Sequence, residues 1–371
     1  MFTSVLQYDG HVNLAGLEQA GVKIIELYHE FPKEFLSAQI CSAMEERALA
    51  VMQNKNMAVA GWTVQLMPSH LPAILEWKED WNGAYLVLDF TNWKDASCEK
   101  LEKLLIQNAE EIVKRKLHIL VENSCRKVGE KFGFGAFAEM KNLVTVCANV
   151  ARSCALSREN LGICFHVGHA NLLAQNVGAE VTAAGNWLKL VHVQDNNGFR
   201  DEEQIPFTFT TGRGMLSTDW YGLIGHLIMM KYDGMLSFAT LGAFATAPQK
   251  LHGALAKLLL AMTAIWNSEY EFEKQLQQPG KQIILFGAGR MLRRYQQMWG
   301  EKYPPSFVVD NDSKIWDTVV DGIPVRCPQA ILAVPENERN VIVCNMHYKE
   351  IGGQLEKMGV KYHCFRDDYY F

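Results

Sequence analysis

Short apolar, β-branched runs alternate with longer amphipathic stretches through the first three quarters of the chain. Eight runs read as buried strands: Thr3 to Tyr8, Val22 to Tyr28, Met57 to Leu66, Ala84 to Phe90, Leu117 to Glu122, Leu161 to His166, Leu188 to Gln194 and Met235 to Leu241. Between most of them, stretches such as Glu34 to Gln53, Cys98 to Lys114, Phe137 to Cys154 and Asp219 to Tyr232 carry apolar residues three and four apart, the spacing of a one-faced helix. Parallel strands joined by helices must be covered on their outer face. Eight such units close most naturally into a (β/α)8 TIM barrel of about 250 residues. A last helix is expected from Pro248 to Leu276.

The pattern changes after Gln277-Gln278-Pro279-Gly280, a polar turn with two breakers. Lys281 to Phe286 reads as a strand, Arg290 to Trp299 as a helix, Phe307 to Asp310 and Val341 to Asn345 as further strands, the last followed by a helix to Met358. The reading is therefore an α/β protein of two domains, a barrel over 1–277 and a smaller Rossmann-like α/β domain over 281–371. A length of 371 residues accommodates both, at roughly 150 per domain.

Charge and cysteine content narrow the function classes. A net charge of −5 leaves no electrostatic footprint for nucleic acid or an anionic membrane, so a small-molecule ligand is the expected partner. The nine cysteines are odd in number and no two are spaced as CxxC, which favours reduced thiols and a cytoplasmic setting. Neither a signal peptide nor a membrane span is expected. Oligomeric state is left open.

In a barrel of this kind the chemistry gathers where strands end. The informative endings are Glu122-Asn123, His166-Val167-Gly168-His169, His192-Val193-Gln194-Asp195-Asn196 and Leu236-Ser237-Phe238-Ala239. Carboxylate, imidazole and carboxamide groups at adjacent strand ends suit a divalent metal or a polyhydroxylated ligand.

Four segments carry a resemblance: ILVENS, FHVGHANL, LVHVQDNNG and TGRGMLSTDW. In this order they resemble motifs of the xylose isomerase-like barrel superfamily, which contains sugar and sugar-phosphate isomerases and epimerases, inosose dehydratases and endonuclease IV. The resemblance implies an isomerase or epimerase acting on a sugar or sugar derivative by proton abstraction beside a carbonyl. It also implies four strand-end ligands to one divalent metal. Carried over, Glu122 is retained, while His166 stands where the family has aspartate, Gln194 where it has the ligand histidine and Ala239 where it has the last glutamate. His169 matches a second-shell or substrate-contacting histidine, and Arg200 falls where some epimerases place a substrate-binding arginine. The endonuclease branch is disfavoured, since its multi-metal cluster needs more histidines and carboxylates than these endings hold.

Three readings of the altered set follow. The barrel mouth is a polar, hydrogen-bonded site without metal that only recognises a ligand, such as a carbohydrate or nucleotide-sugar, or plays a purely structural role. Alternatively, Glu122, His166 and His192 or Asp195 hold zinc or manganese, which imidazole suits. Third, Glu122 with His166 or His169 performs metal-free acid/base chemistry. The expected site is thus Glu122, His166 and His169 for catalysis, Asn123, Arg200, Asp195 and Trp220 for substrate, and Glu122, His166 and His192 for metal. Cys125 and Cys164 read as small buried hydrophobes, and His226 and His252 as structural.

In the C-terminal stretch, QIILFGAG places a strand before a Gly287-Ala288-Gly289 turn, and Asp310 ends the next strand about twenty residues on. Leu292 replaces a third glycine. GAGRMLRRY, FVVDNDSKIWDTVVDGIPV and VIVCNMHYKEIGGQLEKMGV resemble the small Rossmann-like domain of polysaccharide-biosynthesis and nucleotide-sugar proteins. That resemblance implies a nucleotide or NAD(P) cofactor at Gly287, Gly289 and Asp310, or a scaffold with an empty phosphate loop.

Overall fold

The computed structural model describes residues 1–30, 37–52, 56–77, 84–209 and 218–365. The chain divides into two compact units, Met1–Ala264 and Ile265–Phe371, with the division inside the helix His252–Leu276. In the first unit eight parallel strands close a barrel: β1 (Thr3–Tyr8), β2 (Ile24–Glu30), β3 (Ala58–Gln65), β4 (Tyr85–Asp89), β5 (His118–Glu122), β6 (Leu161–His166), β7 (Leu188–Val193) and β8 (Met235–Phe238). β1 pairs with both β2 and β8, which completes the ring. All eight apolar runs thus became strands, two with the expected bounds and the others with ends moved by at most three residues.

The amphipathic stretches became helices with local changes. Cys98 to Lys114 is two helices, Cys98–Gln107 and Ala109–Lys114, because Asn108 leaves the helical conformation and its side chain bonds back to the Leu104 carbonyl. A hairpin, Cys125–Val128 with Lys131–Phe134, turns at Gly129 in the left-handed region (φ 64°) and lies just after β5. The segment TGRGMLSTDW falls largely on 211–217, outside the described residues.

Alternation along the strands decides what the barrel interior contains. Tyr85, Val87, Leu120, Cys164 and Leu190 form one buried cluster. Two residues further toward the strand ends the same faces carry Asp89, Glu122, His166 and His192. An apolar floor therefore lies beneath a polar layer.

The second unit has a six-stranded sheet, β9 (Gln282–Phe286), β10 (Phe307–Val309), β11 (Val319–Val320), β12 (Ile323–Arg326), β13 (Arg339–Val343) and β14 (Tyr362–Cys364), in the order β11-β12-β10-β9-β13-β14. The sheet is mixed: β11 runs antiparallel to β12 and the other pairs are parallel. Its core joins Ile284, Phe286, Phe307, Val309, Val341 and Val343 to Ile351 and Leu355 of the helix Tyr348–Lys357. Among the described residues no helix is long and apolar enough to cross a membrane.

Candidate active site

Period-two alternation brings Glu122 (β5), His166 (β6) and His192 (β7) onto the interior face, each buried. Glu26 of β2, fully buried, joins them. A lone acid in the apolar run IIELY was its only signal in the sequence, and it was passed over. Glu26 accepts hydrogen bonds from Gln7 Nε2 (3.0 Å), Tyr85 OH (2.9 Å) and the Thr63 hydroxyl. His192 Nε2 lies 2.9 Å from Glu26 Oε1, and His192 Nδ1 lies 2.5 Å from Glu122 Oε2.

This arrangement settles the charges. Burial alone would push Glu26 up, but His192 and the donated hydrogen bonds hold it down at about 2. Burial works against a charged His192, and the Cys164 sulfur, Glu26 and Glu122 around it raise it well above the ordinary imidazole value. Burial keeps the Cys164 thiol protonated, so the two carboxylates are the cause. Glu122 is pushed up, first by burial and also by Asp89, against the pull of His192 and His169. A carboxyl group with a raised pKa between imidazoles is suited to acid/base work.

His169 forms the next link. Its Nδ1 donates to the Asn123 carbonyl at 2.8 Å and lies 3.6 Å from Glu122 Oε1, while Nε2 lies 3.7 Å from Asp201 Oδ2. Burial opposes its charge, yet Cys125, Asp201 and Glu122 raise it well above the usual range, and His169 and Gln194 hold Asp201 low in return. Gln194 Nε2 donates to the other Asp201 oxygen at 2.6 Å. His166 is the neutral member: burial, then His169 and His192, push it well below its ordinary value. Its Nδ1 accepts the His169 backbone N–H (3.3 Å), and its ring stacks on His169 at 3.9 Å.

The remaining expected residues divide. Asn123 donates to the His166 carbonyl (3.0 Å) and accepts from the His166 N–H (2.5 Å), fastening the end of β5 to that of β6. Asp195 is buried and accepts from the N–H groups of Asn196 (3.0 Å) and Phe209 (3.1 Å), so its carboxylate is occupied in shaping its own loop. Trp220 is 1% exposed and packs near Phe207, leaving no open ring face. Arg200 is exposed, in a turn tied by Asn197. Neither Trp220 nor Arg200 joins the Glu122 cluster. Both structural histidines tie backbone or helices: His226 pairs with Thr182 (2.8 Å), and His252 accepts from the Asn13 N–H (3.1 Å).

A group the sequence reading missed is Glu203, on the loop after β7. Its Oε2 accepts from the Gly242 N–H at 3.1 Å, and burial, with Asp201 nearby, pushes it up to about 7. Its carbonyl accepts from Ala243 N–H, so the loop is docked just beyond Ala239.

Among the described residues two groups bring metal-type ligand atoms within 4.8 Å of one another: Glu122 with His166 and His169, and Glu122 with Cys164 and His192. The first fits zinc or manganese in chemistry, a carboxylate and two imidazoles, with loss of the His169 proton on binding. The second offers a carboxylate, a thiol and an imidazole, and binding there would require loss of the Cys164 proton and release of His192 from Glu26 or Glu122. Of the expected metal set, His166 and His192 fall in different groups, each with Glu122.

No family model matches the sequence, and no curated protein matches it. Solved structures do. L-ribulose 3-epimerase is similar with a TM-score of 0.52 and 14% identity, over 76% of this chain and 100% of that one. D-psicose 3-epimerase from Clostridium cellulolyticum H10, solved with D-tagatose, gives 0.48 and 11% over 71% and 99%. A xylose isomerase domain protein from Alicyclobacillus acidocaldarius gives 0.46 and 12% over 73% and 100%. The first of these likenesses establishes the fold, an eight-stranded parallel barrel of the kind built by a sugar epimerase.

Proposed function

We propose that the barrel is a sugar isomerase or epimerase, acting on a small sugar or sugar derivative by moving a proton at the carbon beside a carbonyl. The observation that carries this reading is Glu122: a buried carboxyl of raised pKa, with neutral His166 and charged His169 beside it at adjacent strand ends. Glu122 takes and returns the carbon-bound proton. The charged His169, held by the Asn123 carbonyl and Asp201, faces the oxygen on which negative charge develops. His192 and Glu26 hold Glu122 in place from below. Asn123, by fixing the end of β6, sets the spacing between Glu122 and His166. If zinc or manganese binds, Glu122, His166 and a deprotonated His169 would hold it, and the metal would take over from the imidazolium in polarising the carbonyl oxygen.

The test is deuterium uptake in D₂O by ketoses, aldoses and their phosphates, followed by NMR with and without chelator and added zinc or manganese. Exchange at the carbon beside the carbonyl that disappears in Glu122→Gln is the expected result. Sugar binding without exchange in any metal condition would overturn it and favour a second reading, a non-catalytic carbohydrate- or nucleotide-sugar-binding protein. Ala239 favours that alternative, since the end of β8 offers no acid or base.

The C-terminal unit is read as a Rossmann-like module for a nucleotide or NAD(P). Gly287 supports this: it adopts φ 117°, and a Cβ there would lie 2.5 Å from the Cys344 carbonyl oxygen, so only glycine lets the turn pass β13. The barrel and the module are taken as two domains joined near Gln277-Gly280, in a cytoplasmic protein.

A further inference from the structure

The loop after β7 is fastened at the ends of two strands. Asp195, just past β7, exchanges backbone hydrogen bonds with Gln204 at 2.8 and 2.9 Å. Just past β8, the Ala243 N–H donates to the Glu203 carbonyl and the Gly242 N–H to Glu203 Oε2, both at 3.1 Å. The fit is close, because a Cβ on Gly242 would lie 2.2 Å from the Glu202 carbonyl oxygen. Glu203 itself adopts φ 48°, in the left-handed region that a residue with a Cβ enters at a cost. Strain of this kind persists only where the surrounding structure imposes it, and it gathers where side chains must be aimed. Gly242 engages one oxygen of the carboxyl, and among the described residues no side chain is bonded to the other.

That carboxyl stands among the groups of the polar layer. Asp201, two residues before it, lies 3.7 Å from His169 Nε2. Burial first, then Asp201, raises Glu203 to about 7, while Asp201 itself is held low. Two nearby carboxyls whose environments separate their titrations divide into an acid and an anion. Burial, then Asp89, Glu203, Glu30 and Glu122, raises the Tyr28 phenol on β2 well above its ordinary value, so Glu203 and Glu122 act on one and the same side chain. Glu122 reaches the mouth from β5, and Glu203 from the end of β8, three strands round the ring. The two carboxyls therefore come to a ligand from separate sides.

We propose that Glu203 is the second catalytic carboxyl of the barrel and that the reaction inverts the carbon beside the carbonyl, with Glu122 serving one face of that carbon and Glu203 the other. The inference rests on the reading of the barrel as a sugar isomerase or epimerase and narrows it to an epimerase. Glu122, as carboxylate, takes the proton from one face, and the electrons of the broken C–H bond pass into an enediolate whose oxygen faces charged His169. Glu203, as carboxylic acid, then gives its proton to the opposite face, and the carbonyl re-forms. One proton is taken up and one given, exchange with water resets both groups, and the reverse reaction swaps their roles. A single base would return the proton to the face it came from, so inversion needs the second group. The loop thus supplies what Ala239 at the end of β8 does not.

D-fructose and D-psicose are epimers at the carbon beside the carbonyl. Each, free and as its phosphate, should be incubated in D₂O with the wild type and with Glu203→Gln, with and without added zinc or manganese, and followed by NMR. The wild type should interconvert the pair and place solvent deuterium at the inverted carbon. Glu203→Gln should slow interconversion on the order of 10²-fold or more, yet one epimer should still take up deuterium without inverting, since Glu122 still serves its face. That retained exchange also shows that the variant is folded. Interconversion by Glu203→Gln at the wild-type rate would overturn the role of Glu203 and leave the barrel reading intact. Equal loss of exchange from both epimers, with an unchanged circular dichroism spectrum, would do the same by making Glu203 structural. If Glu203→Gln does not fold, Glu203→Asp, which keeps the carboxyl and shortens its reach, is measured against the same outcomes. Wild-type exchange without inversion in every sugar would overturn two-sided transfer and restrict the barrel to isomerisation. No exchange by the wild type would overturn the barrel reading and this inference together.

Discussion

In the barrel, Glu26, His192 and Glu122 are 0–2% exposed, and each carboxylate meets an imidazole. In the C-terminal unit Arg290, Arg293 and His347 stand in solvent along an open cleft. The same kinds of charged side chain therefore have different consequences. A buried charge depends on its partner to remain charged, so pKa values move and folding becomes tied to pH. An exposed charge such as Arg293, paired with Asp321 at 3.1 Å in solvent, contributes little to stability whether or not its partner is present.

The comparison breaks most visibly at Glu26. Glu26→Ala removes one of the two carboxylates that His192 bridges and leaves the Gln7, Thr63 and Tyr85 donors without their buried acceptor, and chemical denaturation should record a loss of about 3–5 kcal/mol. A loss below 1 kcal/mol would show that water reaches the pair. Next in size, Glu122→Gln should lower any sugar proton exchange on the order of 10²- to 10⁴-fold. Its neighbours Glu26 and His192 keep each other, so its stability loss should be smaller than that of Glu26→Ala.

Titration separates the buried Glu26 from the half-buried Glu203. Glu26, lowered from 4.5 to about 2, contributes stability present above pH 4.5 and lost as the pH falls through about 2. Glu203, raised from 4.5 to about 7, acts with the opposite sign: its contribution is full below pH 4.5 and is lost as the pH rises through about 7. Melting temperatures followed from pH 2 to 8 should therefore fall at both ends. Glu203→Gln should flatten the upper limb alone, and a wild-type curve already flat from pH 5 to 8 would remove Glu203 from the account. The smallest effect belongs to the other region: Arg293→Ala removes an exposed pair with Asp321 and should cost no more than about 1 kcal/mol. A larger loss would mean that this arginine is structural.

Much of the barrel was legible because strand burial writes itself as short apolar runs and helix burial as a three-to-four spacing. Leu117 to Glu122 and Leu161 to His166 are examples, where the run and the strand nearly coincide. The hairpin after β5 was not legible, since its exposed residues bury too little to leave a pattern. Glu122, His166 and His169 could be picked out from their places at strand ends. Glu26 could not, because nothing near it in sequence reveals a partner 166 positions away.

By itself the sequence determined the alternation of strands and helices, the residues that face inward, and the chemical types at each strand end, because these follow from local periodicity. Only the tertiary structure decided which of those groups meet. Closure of the ring brought β2 across from β5 and β7, placing His192 as the bridge between Glu26 and Glu122. It likewise turned Asp310 toward the Ala288 amide and left the arginines beside β13. Pairing between distant residues is a property of packing, and the energies that shift their protons exist only once that packing excludes water.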